Sequence, residues 1–213
     1  MTKSNREEFS AQLGVEPVLL DTCHFSGCRR PRPFWVDWPI EARQGETLLQ
    51  HDGYREWVIP AGLPQDNWWV DKGCKRLGSG PLPAPARALP GKFPPKQPAG
   101  LATATREAIE CWSADNHRFQ GYQYEQQHLL SRPDGTWRLP SFIEREKVMG
   151  FPLGYMSNGQ NPKLTMDAVF NLGTSMIGNS FNVYAMTFLL DELLSHRSPG
   201  HQPWCLASMP HAL

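Results

Sequence analysis

Cys23, His24 and Cys28 form the tightest grouping of metal-ligating residue types in the chain. A tetrahedral zinc site would need a fourth ligand from Cys74 or Cys111, and the paired CxxC rhythm of such sites is missing, so no metal is expected. Arg30-Pro-Arg32 places two guanidiniums two residues apart. On its own such a pair reads as solvated surface charge. Asn179-Ser180-Phe181 offers two polar side chains and a ring; alone, it reads as a helix N-cap and a hydrophobic staple. The five cysteines are odd in number and scattered, with no signal peptide ahead of them, which predicts reduced thiols in an intracellular protein.

The elements that would position these groups are loop-rich. Twenty prolines, 18 glycines and eight tryptophans in 213 residues point to long ordered loops with aromatic anchors rather than continuous helix or sheet. The chain is long enough for one domain with a real core, and no apolar run approaches a membrane span. Basic and acidic side chains balance at 21 each. A neutral chain gains no general attraction to DNA, so nucleic-acid binding would require a locally basic face or another segment.

A polar segment, Thr2 to Gln12, suits a short helix. Strand candidates follow at Pro17–Asp21 and in the aromatic part of Cys28–Trp38, and two such strands look like the edge of a larger sheet. Residues 41 to 100 show no sustained period of 2 or 3.6, and 78 to 91 form a proline-punctuated loop that Trp57, Trp68 and Trp69 would pin. Ser141-Phe-Ile-Glu144 is a capping box, predicting a helix from Phe142 to about Met149 that Gly150 and Pro152 end. Another helix is expected from Asn161-Pro162. Gly178-Asn-Ser180 then breaks the chain before a final helix whose Val183, Met186, Leu190, Leu193 and Leu194 share a stripe needing a partner. His196 and Arg197 suit its C-terminal end, and Pro199-Gly200 stops it.

Several separated segments match one family in the same order. Glu16-Pro-Val-Leu-Leu-Asp21, Phe25-Ser26 and Arg30-Pro-Arg32 with Phe34-Trp35 resemble the segment of de novo type DNA cytosine-5 methyltransferases that ends in their Arg-x-Arg motif. Ala104-Thr-Arg106 is similar to the start of the segment after their target-recognition region, with Leu101 where the family carries arginine. Glu144-Arg-Glu-Lys-Val-Met-Gly-Phe-Pro-Leu-Gly-Tyr155 resembles their helix followed by Gly-Phe-Pro-x-x-Tyr. Ile177-Gly-Asn-Ser180 looks like their last motif.

The resemblance implies an α/β fold: the C-terminal portion of a Rossmann-like S-adenosylmethionine-dependent methyltransferase sheet, with a loop-rich target-recognition insert and closing helices. Residues 1–40 would be sheet-edge strands with the Arg-x-Arg segment, 41–100 the target-recognition region, 101–195 the completing helices and 196–213 a tail. Enzymes of this family flip a cytosine out of the duplex, attack C6 with a cysteine thiolate and transfer the methyl group of S-adenosylmethionine to C5. None of the five cysteines follows a proline, and no Phe-x-Gly-x-Gly or Glu-Asn-Val string occurs. The catalytic front half is therefore expected to be absent and the chain alone inactive.

By the same resemblance Arg32, and behind it Arg30, would sit near the flipped base in supporting roles, while Asn179, Ser180 and Phe181 would close over S-adenosylmethionine. Arg106, Lys75 and Arg76 would contact DNA, with Arg55, Lys72, Arg87, Lys92 and Lys96 also available for phosphates. The implied partners are DNA and the missing catalytic half or a full-length paralogue, in the nucleus or another DNA-containing compartment, with no membrane. The alternative is a non-catalytic DNA-binding or interaction module derived from such an enzyme.

Overall fold

The structure, a computed structural model, describes residues 1–59, 69, 72–78, 80–83, 104–155, 165–198 and 200–201. It is a mixed α/β protein that divides into two compact units, one formed by Met1–Leu63 with Asn182–Pro210 and the other built on Pro64–Phe181. The expected helix start at Asn161-Pro162, Trp68, Arg87, Lys92, Lys96 and most of the 78–91 loop lie outside the described residues.

The first unit opens with α1 (Lys3–Leu13), which Thr2 caps by accepting the Asn5 amide and Gly14 ends in the left-handed region at φ 71°. Strand β1 (Val18–Asp21) buries Val18 and Leu20 on one face, the alternation of a half-covered strand. After a 3-10 turn over Thr22–His24 come β2 (Cys28–Arg29) and β3 (Pro31–Phe34). The second strand was expected nearer Phe34–Trp38; it forms earlier, as an edge, where the missing amides of Pro31 and Pro33 break no interior ladder.

Strands β4 (Thr47–His51) and β5 (Tyr54–Val58) make a hairpin inside the stretch expected to lack regular structure. Its turn is Asp52-Gly53, with Gly53 at φ 73°. The sheet order is β3-β1-β5-β4, with β1 antiparallel to β3 and parallel to β5, so the sheet is mixed.

Helix α5 (Val183–Arg197) covers the face bearing Val18, Leu20 and Trp57. It does so with Ala185, Phe188 and Leu189, and the Phe188 ring lies 4.7 Å from Trp57 and 5.0 Å from Phe25. The stripe through Leu190 and Leu194 lies away from this contact, and both leucines remain about half exposed. A polar flank decides the rotation. Asp191 and Glu192 are drawn inward to Arg43, whose Nη2 donates to Asp191 at 2.6 Å and also meets Glu192. Burial disfavours the Arg43 charge, but the Asp191 hydrogen bond with Glu192 and Glu46 more than reverses this and raises its pKa. Glu46 itself accepts the Trp57 indole N–H at 2.9 Å.

The second unit contains short strands β6 (Lys75–Arg76), β7 (Leu82–Pro83), β8 (Leu130–Ser131) and β9 (Trp137–Arg138), three of which form a sheet in the order β6-β8-β9. Helix α2 (Arg106–Ala114) is capped by Thr105 and packs Ala108 and Trp112 with Phe119, Tyr124 and Leu129. Helix α3 (Phe142–Val148) carries the complete capping box, and Gly150 follows at φ 82°. Helix α4 (Met166–Asn179) starts from Thr165, so Gly178 and Asn179 complete it and the break falls at 180–182.

Candidate functional site

The arginine pair is built by the turn between β1 and β3. Asp21 ends β1, and its Oδ1 accepts the Cys23 amide at 3.1 Å and the Arg30 amide at 2.7 Å. A short loop is thereby closed around one carboxylate oxygen. Thr22 adds a second tie, its hydroxyl donating to the Cys28 carbonyl at 2.7 Å. The resulting geometry buries Arg30, at 5 % exposure, and leaves Arg32 exposed. Burial and then the neighbouring Arg32 charge lower the Arg30 pKa, partly opposed by Cys28. The two guanidiniums are thus near enough for the charge of one to be felt by the other, one shielded from water and one open to it.

The Cys23 thiol at this turn is held protonated. Burial, with Asp21 second, pushes the Cys23 thiol up to about 12. In the second unit Cys111 is also raised, by burial and then Glu110, and donates to the Trp137 carbonyl at 3.2 Å. Cys23, Cys28, Cys74 and Cys111 are all free thiols. His24 is lowered by burial. Among the described residues no group of three or more His, Cys, Asp or Glu could hold a metal ion, and no helix is long and apolar enough to cross a membrane.

Asn179 is the last residue of α4, and Ser180 and Phe181 follow it in the second unit. The Phe181 ring is 63 % exposed and Asn179 is exposed, so both present free surface. Ser180 instead donates its hydroxyl to the Ile177 carbonyl at 2.8 Å, closing the helix and keeping only acceptor capacity. The N-cap expected of this tripeptide belongs to Asn182, whose side chain accepts the Ala185 amide at 3.1 Å. For S-adenosylmethionine the fit is therefore partial: the Asn179 amide and the Phe181 ring are available to a polar and an apolar edge, respectively, while the Ser180 proton is already committed.

Of the residues proposed for DNA, Arg55 lies on β5 in the first unit, and Lys75, Arg76 and Arg106 belong to the second. Lys75 is exposed on β6, and Arg76 donates to the Gly80 carbonyl. Arg106 is largely exposed and paired with Glu110 at 2.8 Å, one helical turn on. That pair neutralises a cation which would otherwise oppose the positive end of α2. A separate cavity of about 320 Å³ is lined by Cys111, Asp115, Arg118, Tyr124, Trp137 and Ser141, none of them expected as site residues. Next to it, Asn116 and His117 hold φ values of 50° and 55°.

Sequence reasoning found the arginines but missed Asp21 and Thr22 closing the turn before them and Asn182 capping α5. Only Asn182 carried a readable signal, an asparagine directly before an apolar helix. No protein-family model matches the chain, and no curated protein matches it either.

Proposed function

We propose that this chain supplies the base-side arginines and part of the cofactor wall of a DNA cytosine-5 methyltransferase, with the attacking cysteine contributed from outside its five thiols. The observation that carries the reading is the Arg30–Arg32 pair, with Arg30 buried and its amide held by Asp21, and Arg32 following on β3 opposite Leu20. In the segment order that resembles the family, this turn is the Arg-x-Arg motif. A shielded guanidinium beside a second one suits a flipped cytosine, whose N3 and exocyclic O2 gain negative charge as C6 is attacked.

S-adenosylmethionine would supply the methyl group, and Asn179 and Phe181 would hold its two edges. The raised Cys23 and Cys111 thiols support assigning the thiolate elsewhere. The same thiols support a second reading, a non-catalytic module that binds DNA without turning over.

Reconstitution separates the two. The pure chain is mixed with the catalytic half of a relative carrying a Pro-Cys loop, and labelled methyl transfer to cytosine in duplex DNA is followed. The enzyme reading expects no turnover from the chain alone, turnover from the mixture, and a loss on Arg30→Ala that exceeds the loss on Asn179→Ala. Turnover by the chain alone, or a mixture indifferent to Arg30 and Arg32, would sink it. Salt-dependent duplex binding with no turnover in any mixture selects the module.

A further inference from the structure

Asn182 lies 156 residues from Ser26 along the chain, yet its Nδ2 donates to the Ser26 hydroxyl at 3.1 Å. The Ser26 hydroxyl donates to the Thr22 backbone carbonyl at 3.2 Å, and the Thr22 hydroxyl in turn donates to the Cys28 carbonyl at 2.7 Å. Asn182, Ser26, Thr22 and Cys28 are all at least 95 % buried. The direction of this chain of bonds is fixed. A hydroxyl has one proton, so with that proton on Thr22, Ser26 meets Asn182 only through a lone pair, and Asn182 must donate. The other end of the Asn182 amide is committed too, its oxygen capping α5 through the Ala185 amide.

We propose that Asn182 is a positioning residue for the Arg30–Arg32 pair, which rests on the reading of that pair given above. The turn from 21 to 30 is held from one side by Asp21 on the Arg30 amide and from the other by Thr22 on the Cys28 carbonyl. Asn182 orients the hydroxyl that sits between them. The N-terminus of the last helix thus sets where the two guanidiniums stand, without touching either.

Asn182→Asp isolates this role, because aspartate caps a helix as well as asparagine but brings an acceptor to Ser26 instead of a donor. Ser26→Ala breaks the same link without touching the cap and carries the same test if Asn182→Asp does not fold. In the full chain, both variants are expected to move the Arg30 amide and Nε–Hε resonances in nitrogen-proton NMR spectra, with the Ala185 amide of Ser26→Ala in place. Each should weaken binding of a fluorescein-labelled duplex containing one CpG step by about tenfold. Neither should add to the loss already caused by Arg30→Ala, since residues acting through one another are non-additive. Unmoved Arg30 resonances in a folded variant, or losses that add to that of Arg30→Ala, overturn the assignment. Moved resonances in a chain that binds no duplex leave Asn182 as the positioning residue and remove the DNA reading of the pair.

Discussion

The Arg30 amide reaches back nine residues to Asp21 Oδ1, at 2.7 Å, and shares that oxygen with the Cys23 amide. Asp21 Oδ2 faces Arg29 Nε at 3.5 Å, but the Arg29 side chain is 70 % exposed, so this ion pair contributes little. The carboxylate matters as an acceptor of two backbone protons. Asp21→Asn keeps an acceptor oxygen and should change stability by less than about 1 kcal/mol, whereas Asp21→Ala orphans two amides at about 1–3 kcal/mol. Urea unfolding of both variants checks this, and equal losses would show that charge rather than acceptance holds the turn.

A second carboxylate organises the other unit. Glu144 is fully buried, receives both Arg138 nitrogens at 2.7 Å and accepts the Ser141 amide at 2.6 Å. Removing it leaves a cation with 14 % side-chain exposure and orphans the Ser141 amide, half of the capping box. Glu144→Ala is expected to cost about 3–5 kcal/mol. A shift in thermal midpoint no larger than that of an exposed glutamate such as Glu110 would contradict the burial seen here.

Cys23 provides a pH test. Its thiol ordinarily ionises near 9.0 and in the folded chain only at about 12. The folded state therefore keeps this proton where the unfolded chain releases it, so stability falls as pH rises from about 9 toward 12. At pH 8 the thiolate fraction, and with it the alkylation rate by iodoacetamide, should be about a thousandfold below that of an unfolded-chain thiol. Peptide mapping of the alkylated protein with and without denaturant reads the ratio. A Cys23 that labels equally fast in both has no such shift.

The rotation of α5 gives a paired prediction. Phe188 sits 3 % exposed between Phe25 and Trp57, and Leu190 is 51 % exposed. Phe188→Ala should cost about 3–5 kcal/mol, and Leu190→Lys less than about 0.5 kcal/mol. The reverse order in chemical denaturation would restore the stripe through Leu190 and Leu194 as the packed face.

Local signals were read well where they are self-contained. Ser141 and Glu144 form both bonds of the capping box, and Gly150 takes the positive φ that ends α3, because each depends on residues within one turn. The hairpin at 47–58 was missed although Asp52-Gly53 marks it, since Tyr54-Arg-Glu-Trp-Val58 hides its alternation by placing Arg55 on the Trp57 side. The face of α5 that packs within the unit, Ala185, Phe188 and Leu189, went unnamed for a related reason. Leucines at 190, 193 and 194 outvote Phe188 in any count of apolar spacing, and the ion pairs of Asp191 and Glu192 with Arg43 are invisible until the fold brings residue 43 to the helix. The arginine pair was legible as a pattern, but its burial order was not. Asp21 and Thr22 tie the turn from which Arg30 emerges buried and Arg32 exposed, and Asn182 reaches the same turn from far along the chain through Ser26.

The first unit is discontinuous, made of Met1–Leu63 and Asn182–Pro210. On the ribosome its sheet emerges early, but Ala185, Phe188 and Leu189, which cover Val18, Leu20 and Trp57, arrive only after the whole intervening unit has been translated. Vectorial synthesis thus reverses the written order: the middle of the chain can collapse on its own contacts while the opening strands wait with an uncovered apolar face. That interval is a window for chaperone capture, and its length is set by elongation through residues 64–181 rather than by any folding step of the sheet itself.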